Sequence, residues 1–160
     1  PAKSRWRKNG PNTSARRRNW RSANVAGTVL DSYALLAFLR GEDGDGKVRQ
    51  LLERAGERDQ PLHMTEANYA EVKYIIIRKE GRQRWAGIAA DLPALPLEFH
   101  PITRLLADIA ADFKAQHRIS LADAFAAALA KEKKAELVTG DPEFKPLEGE
   151  VKIRWITIAG

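Results

Sequence analysis

Cysteine is absent from the 160-residue chain, so neither a disulfide framework nor a thiolate metal site can hold it together, and zinc-finger readings are excluded. An apolar run of membrane-spanning length is also missing. The stretch that begins at Val25 is broken by Asp31 and Arg40, short of the roughly 18 uninterrupted apolar residues a spanning helix needs. It is equally poor as the core of a signal peptide. No internal repeat is present, and the alanine-rich segment 122–130 reads as close helix packing. These absences permit a reducing compartment, and a soluble cytoplasmic protein with no membrane contact is the expectation.

Acidic residues are missing from positions 1–24, which carry eight Lys or Arg. Setting those eight aside from the 27 Lys and Arg of the chain leaves 19 against 21 Asp and Glu, a net of −2 for the remainder, although the whole chain carries +6. The basic character therefore belongs to a tail. With Gly10, Pro11 and Asn12 and no apolar period, this segment is expected to be disordered in the free protein, and a solvated arm is its default reading. Within it Arg16, Arg17 and Arg18 are the candidate RNA contacts, with Trp6 and Trp20 placed to stack on bases, because counterion release favours phosphate contacts whatever the sequence. Residues 25–160 have the length of one domain with a single core.

The body alternates strand and helix patterns. A short run, Thr28-Val29-Leu30, ends at Asp31, and Leu35, Phe38 and Leu39 give Tyr33–Arg40 helical spacing. A loop rich in Gly and Asp precedes a short helix marked by Val48, Leu51 and Leu52. Residues Pro61–Met64 then suggest a second strand. Helices are expected over Thr65–Lys79, with a stripe of Ala67, Ala70, Tyr74 and Ile75, and over Arg82–Ala90. A strand weakened by Pro96 follows at Leu95–Phe99. Then come a helix striped by Ile102, Leu105, Leu106, Ile109, Ala110 and Phe113, a helix after Ser120, and strands at Glu136–Thr139 and Val151–Ile158. Such alternation implies a mostly parallel sheet covered on both faces, with ligands at the carboxyl ends of strands.

Four acids stand where structure alone explains them least. Asp31 fits either a helix N-cap or a ligand after the first strand. Asp123 completes a capping box with Ser120, yet its helical neighbours Ala126, Ala127 and Ala130 are small enough to leave room for an ion. Asp141, in Thr139-Gly140-Asp141-Pro142, fits an ordinary turn. Glu71 falls on the face expected to be buried, where an unpaired charge would cost several kcal/mol in order of magnitude, so it calls for a cation or a basic partner such as Lys73 or Arg78. Glu66, one turn earlier, suits the helix N-terminus. Gathered carboxylates repel unless a cation holds them, and hard oxygen donors suit magnesium or manganese.

The segments Val29-Leu30-Asp31-Ser32, Asn68-Tyr69-Ala70-Glu71-Val72, Ser120-Leu121-Ala122-Asp123-Ala124 and Leu137-Val138-Thr139-Gly140-Asp141 occur in an order and at spacings that resemble the PIN-domain ribonucleases, and within them the VapC-type toxins of toxin–antitoxin pairs. The resemblance spans roughly residues 26–158. It implies an α/β/α three-layer sandwich with a mostly parallel central sheet, and hydrolysis of RNA phosphodiesters with one or two Mg²⁺ or Mn²⁺ ions. It also implies that Asp31, Glu71, Asp123 and Asp141 are catalytic and bind the metal, the last partly through water, supported by the hydroxyls of Thr139 and Ser32. A cognate antitoxin that masks the cleft and a homodimer that buries helix faces belong to the same implication. Two other readings stand beside it: a PIN nuclease of RNA maturation, and a non-catalytic nucleic-acid or protein-binding module whose acids are caps. A phosphatase-like site is disfavoured, because Tyr33 stands where a second aspartate would be needed.

Overall fold

The computed structural model describes residues 27–157. The expectations for the tail, including Arg16, Arg17 and Arg18, and for residue 158 fall outside the described residues. The chain runs β1 (Thr28–Leu30), α1 (Ser32–Arg40), α2 (Asp45–Arg58), β2 (Leu62–Thr65), α3 (Glu66–Glu80), α4 (Arg82–Asp91), β3 (Leu97–His100), α5 (Arg104–Gln116), α6 (Leu121–Lys133), β4 (Glu136–Thr139) and β5 (Ile153–Trp155), with 3₁₀ turns at Leu92–Ala94 and Pro142–Leu147.

The strands form one sheet in the order β3-β2-β1-β4-β5, and every pairing among the described residues is parallel. The expectation of a mostly parallel sheet thus becomes a wholly parallel one. From β1 the chain adds β2 and β3 on one side, then crosses to add β4 and β5 on the other. This reversal between β1 and β4 makes their carboxyl ends a topological switch point, the crevice where open α/β sheets place ligands. Asp31 follows β1 and Gly140-Asp141 follow β4, and the amide of Asp31 donates to the carbonyl of Val138 across the crevice at 3.3 Å.

Alternation along the strands sends side chains to two cores. Leu30, Met64 and Val138 join the core with α1, α2, α3 and α4, whereas Val29 and Leu137 join the one with α5 and α6. Together these layers form the expected α/β/α sandwich. Caps define the helix ends: Asp31, Thr65, Thr103 and Ser120 each accept an amide hydrogen at an N-terminus, and Gly41, at φ +63°, closes α1 in the left-handed conformation.

Several boundaries and faces differ from the sequence pattern. β2 begins at Leu62 and runs through Thr65, which both ends the strand and caps α3. β3 starts at Leu97, because Pro96 has no N–H to give the ladder, although its carbonyl accepts from Leu62 at 2.8 Å. β5 is confined to Ile153–Trp155. In α3 the buried line is Asn68, Val72 and Ile76, while Ala70 and Tyr74 face solvent, so the expected stripe is rotated from the true one. Ile102 precedes α5, and Leu105 is exposed, leaving Leu106, Ala110 and Phe113 as its buried line.

The alanines of α6 also change meaning. Ala126, Ala127 and Ala130 are fully buried in the core with α5, so their small size lets helices and sheet approach closely instead of opening space beside Asp123. Close packing of this kind leaves no volume for extra methylenes. Ala127→Leu is expected to lower stability by about 1–3 kcal/mol, read as a lower urea midpoint with an unchanged slope.

Candidate metal centre

Asp31 is fully buried at the mouth of the switch point. Its Oδ1 accepts the Ala34 amide at 2.8 Å, capping α1, and its Oδ2 accepts the hydroxyl of Thr139. The cap and ligand readings coexist here, since each carboxylate oxygen has two lone pairs and these bonds use one on each. Thr139 also accepts the amide of Asp141 at 3.0 Å, so one hydroxyl ties the acid after β1 to the acid after β4. Asp141 in turn N-caps the 3₁₀ turn through the Glu143 amide at 2.9 Å.

Gly140 is compelled by this crossing. A Cβ there would lie 2.2 Å from the Tyr33 ring, which fits only because the position carries no side chain.

Asp123 comes from the first turn of α6, where Ser120 caps its amide at 3.1 Å. Glu71 lies half-buried on the flank of α3, not on its buried line. Its expected basic competitors are elsewhere: Lys73 lies over the Trp85 ring and Arg78 over the Tyr74 ring. Arg40 and Arg84 are likewise occupied with Glu80. Among the described residues no ion pair involves Asp31, Glu71, Asp123 or Asp141.

The four acids act on one another. Burial, helped by Asp123 and Asp141, raises the Asp31 carboxyl to about 8 despite the bonds from Thr139 and Ala34. Burial likewise lifts Asp123 to about 6 against the Ser120 hydroxyl, with Asp141 and Glu71 adding to it. Glu71 is raised by burial and by Asp141, and the Ser32 hydroxyl opposes this. The closest convergence is Asp123, Asp141 and Glu143, each of which offers an oxygen within 4.8 Å of the others. Asp31 and Glu71 share the field of this group without belonging to that tightest set. This is a hard-oxygen donor set in mutual repulsion, and it fits a divalent cation.

Two contributors escaped the sequence reading. Glu143, two residues past Asp141, carries no mark of its own in the sequence, and its proximity arises from the 3₁₀ turn. Asn68 is fully buried. Its amide nitrogen donates to Ser32 Oγ at 3.0 Å and to the Ala122 carbonyl at 3.1 Å, which pins α1, α3 and α6 around the acids. A polar residue spaced to head the apolar line of Val72 and Ile76 was the available signal.

A wholly parallel α/β/α sandwich with acids gathered at its switch point defines the class, and the comparisons give the family. The sequence model of the PIN domain matches residues 28–150, and the chain belongs to the PIN domain family. No curated protein matches the chain. Among solved structures, a chain of the DNA-bound VapBC from Salmonella typhimurium superposes with a TM-score of 0.64 at 14% identity, covering 83% of this chain and 100% of that one. VapC20 of Mycobacterium tuberculosis, a toxin that cleaves the sarcin–ricin loop, gives 0.63 at 14% identity, covering 78% and 96%. FitAcB of Neisseria gonorrhoeae gives 0.62 at 18%, covering 81% and 97%.

Two expectations follow for the metal-free protein. Folded-state pKa values above the unfolded value near 4 mean that the native state binds more protons in this window. The stability from these groups is complete below about pH 4 and is lost as pH rises through about 6 for Asp123 and about 8 for Asp31. The metal-free Tm should therefore fall over this range, and a flat profile would contradict the site's electrostatics. At pH 8, Glu71→Gln should raise the metal-free Tm by about 1–2 °C, a solvent-discounted gain of roughly half a kcal/mol, while a drop would mean a structural ion pair.

Proposed function

We propose that the chain is a Mg²⁺- or Mn²⁺-dependent ribonuclease and the toxin of a VapBC-type toxin–antitoxin pair. The observation that carries this reading is the set of mutually raised acids Asp31, Glu71 and Asp123, with Asp141, at the switch point of a PIN domain. Those four residues would hold one or two ions, with Glu143 available beside Asp123 and Asp141. When bound, the ion supplies Lewis acidity towards phosphate oxygens and offsets the charge that builds on them in the transition state.

The protein's own groups prepare that pocket. Thr139 fixes the Asp31 carboxyl by its hydroxyl, and Ser32, held by Asn68, supports Glu71. The Asp31 carboxyl keeps its proton near neutral pH in the metal-free state, so it must give that proton up to become a ligand, and metal uptake should release protons. An antitoxin partner would mask the acids. A homodimer is supported by large apolar side chains exposed on three helices, Tyr74, Leu105 and Leu121. The arginines at 16–18 would contact RNA phosphates.

RNA cleavage should require Mg²⁺ or Mn²⁺ and stop in EDTA. Asp31→Asn and Asp123→Asn should each lower the single-turnover rate by about 100-fold or more, the scale of one lost transition-state electrostatic contact. Activity that persists in EDTA and in both variants would reject the reading. Deleting residues 1–24 should reduce the slope of log affinity for RNA against log salt by roughly 0.7 per lost phosphate contact, and an unchanged slope would leave the tail a solvated arm.

A further inference from the structure

A second cluster of ligating side chains lies on the β3–β2 edge of the sheet, outside the central β1–β4 crevice. Parallel register sets His63 of β2 beside Glu98 of β3, and Thr65 beside His100. Because side chains alternate, His63, Glu98 and His100 share one face of this outer strand pair. Val29, the partner of His63 across β1, belongs to the core with α5 and α6, which identifies that face.

The three side chains converge. His63 Nδ1 stands 2.9 Å from His100 Nε2. Glu98 offers Oε2 at 4.0 Å from the first ring nitrogen and Oε1 at 3.8 Å from the second, beyond direct hydrogen bonding to either. One ligand atom from each residue lies within 4.8 Å of the other two. His63 is buried, with Gly27 beside its ring where a Cβ would approach to 3.3 Å, and His100 is mostly buried. Glu98 is 43% exposed and has room to close on a shared point.

We infer that His63, Glu98 and His100 form a second metal site, which takes a transition ion of the zinc class and clamps edge strand β3 to β2. Two ring nitrogens 2.9 Å apart can both reach the 2.0–2.1 Å expected of zinc–imidazole bonds, and the carboxylate supplies the third donor, leaving one position for water. Nitrogen donors separate this site chemically from the oxygen-only crevice, so a borderline ion and a hard ion would sort between the two.

The surroundings are mixed in charge. Lys133, in the last turn of α6, acts on both rings and opposes a cation, while Glu98 and Glu132 act on His100 in the other direction. Burial and Lys133 hold His63 down at about 4 and His100 below its ordinary value, so both rings are neutral near pH 7 and can offer lone pairs. The competing explanation is a plain imidazole–imidazole hydrogen bond with a nearby carboxylate.

Cobalt(II) titration of the full chain separates the two. The sequence has three histidines and no cysteine, and the third, His117, pairs with Glu150 at 2.9 Å, so a histidine-dependent signal has a single source. Wild type and Asp31→Asn should each show a visible d–d absorption that saturates at one equivalent of Co²⁺. Zn²⁺ should erase this absorption, and excess Mg²⁺ should not. His100→Gln should abolish it with an unchanged far-UV spectrum. Glu98→Gln, at a partly exposed position, should weaken Zn²⁺ by roughly tenfold or more, at least the cost of losing a ligand's supporting partner, and His117→Gln should change nothing. No band in wild type, a band that survives His100→Gln, or one lost with Asp31→Asn would overturn the site. None of these outcomes depends on RNA cleavage, so the ribonuclease reading and this one fail separately.

Discussion

One hydroxyl joins the two halves of the sheet where the order of strands reverses. Thr139 donates to Asp31 after β1 and accepts from the amide of Asp141 after β4, at the junction where the Asp31 amide also meets the Val138 carbonyl. Remove the bridging group and the buried Asp31 carboxyl loses a bond that opposes the effect of its burial, while the Asp141 amide loses its acceptor. Every other feature of the crevice is arranged around that bridge: Gly140 admits the Tyr33 ring, α6 brings Asp123, and α3 brings Glu71. The sheet's topology is what makes these distant segments meet. Parallel strands end on the same side, so the acids just after β1 and β4 meet there, while Glu71 and Asp123 depend on α3 and α6 to carry them in.

The order of elements was legible because strand and helix periods differ, and β-branched runs ending at polar residues mark the strand ends. Faces were harder to read. On α3, Ala70 and Tyr74 looked apolar by composition, yet small and aromatic residues sit comfortably in solvent, and the true buried line runs through Asn68, a residue composition would place outside. Asp31 and Asp141 stood out by position after strands, and Glu71 and Asp123 were singled out on helices; of the four, the structure brings Asp123 and Asp141 within reach of one shared point. Glu143 and the His63–His100 pair did not stand out. Their closeness comes from a 3₁₀ turn and from strand register, neither of which leaves a periodic mark in the chain.

Small residues on α6 illustrate how one pattern serves two readings. Alanines beside an acid suggested open space, but burial assigns them to helix–helix and helix–sheet contact. The two ideas differ in what a larger side chain would do: in open space it fills, and in a packed seam it pushes. The consequence for the crevice is rigidity. Asp123 is carried on a helix that cannot shift without disturbing Leu106, Ala110 and Phe113 of α5, so its distance from the acids of β1 and β4 is held by the core itself.

Asp31 both starts a helix and faces the crevice, and this shapes how variation at the position should be read. Asparagine, serine or threonine keep an oxygen for the Ala34 amide, whereas alanine forfeits it. Polar replacements here therefore leave the start of α1 intact, whereas an alanine variant reports the lost helix cap together with whatever else the carboxylate does, and only a comparison of the two separates those roles.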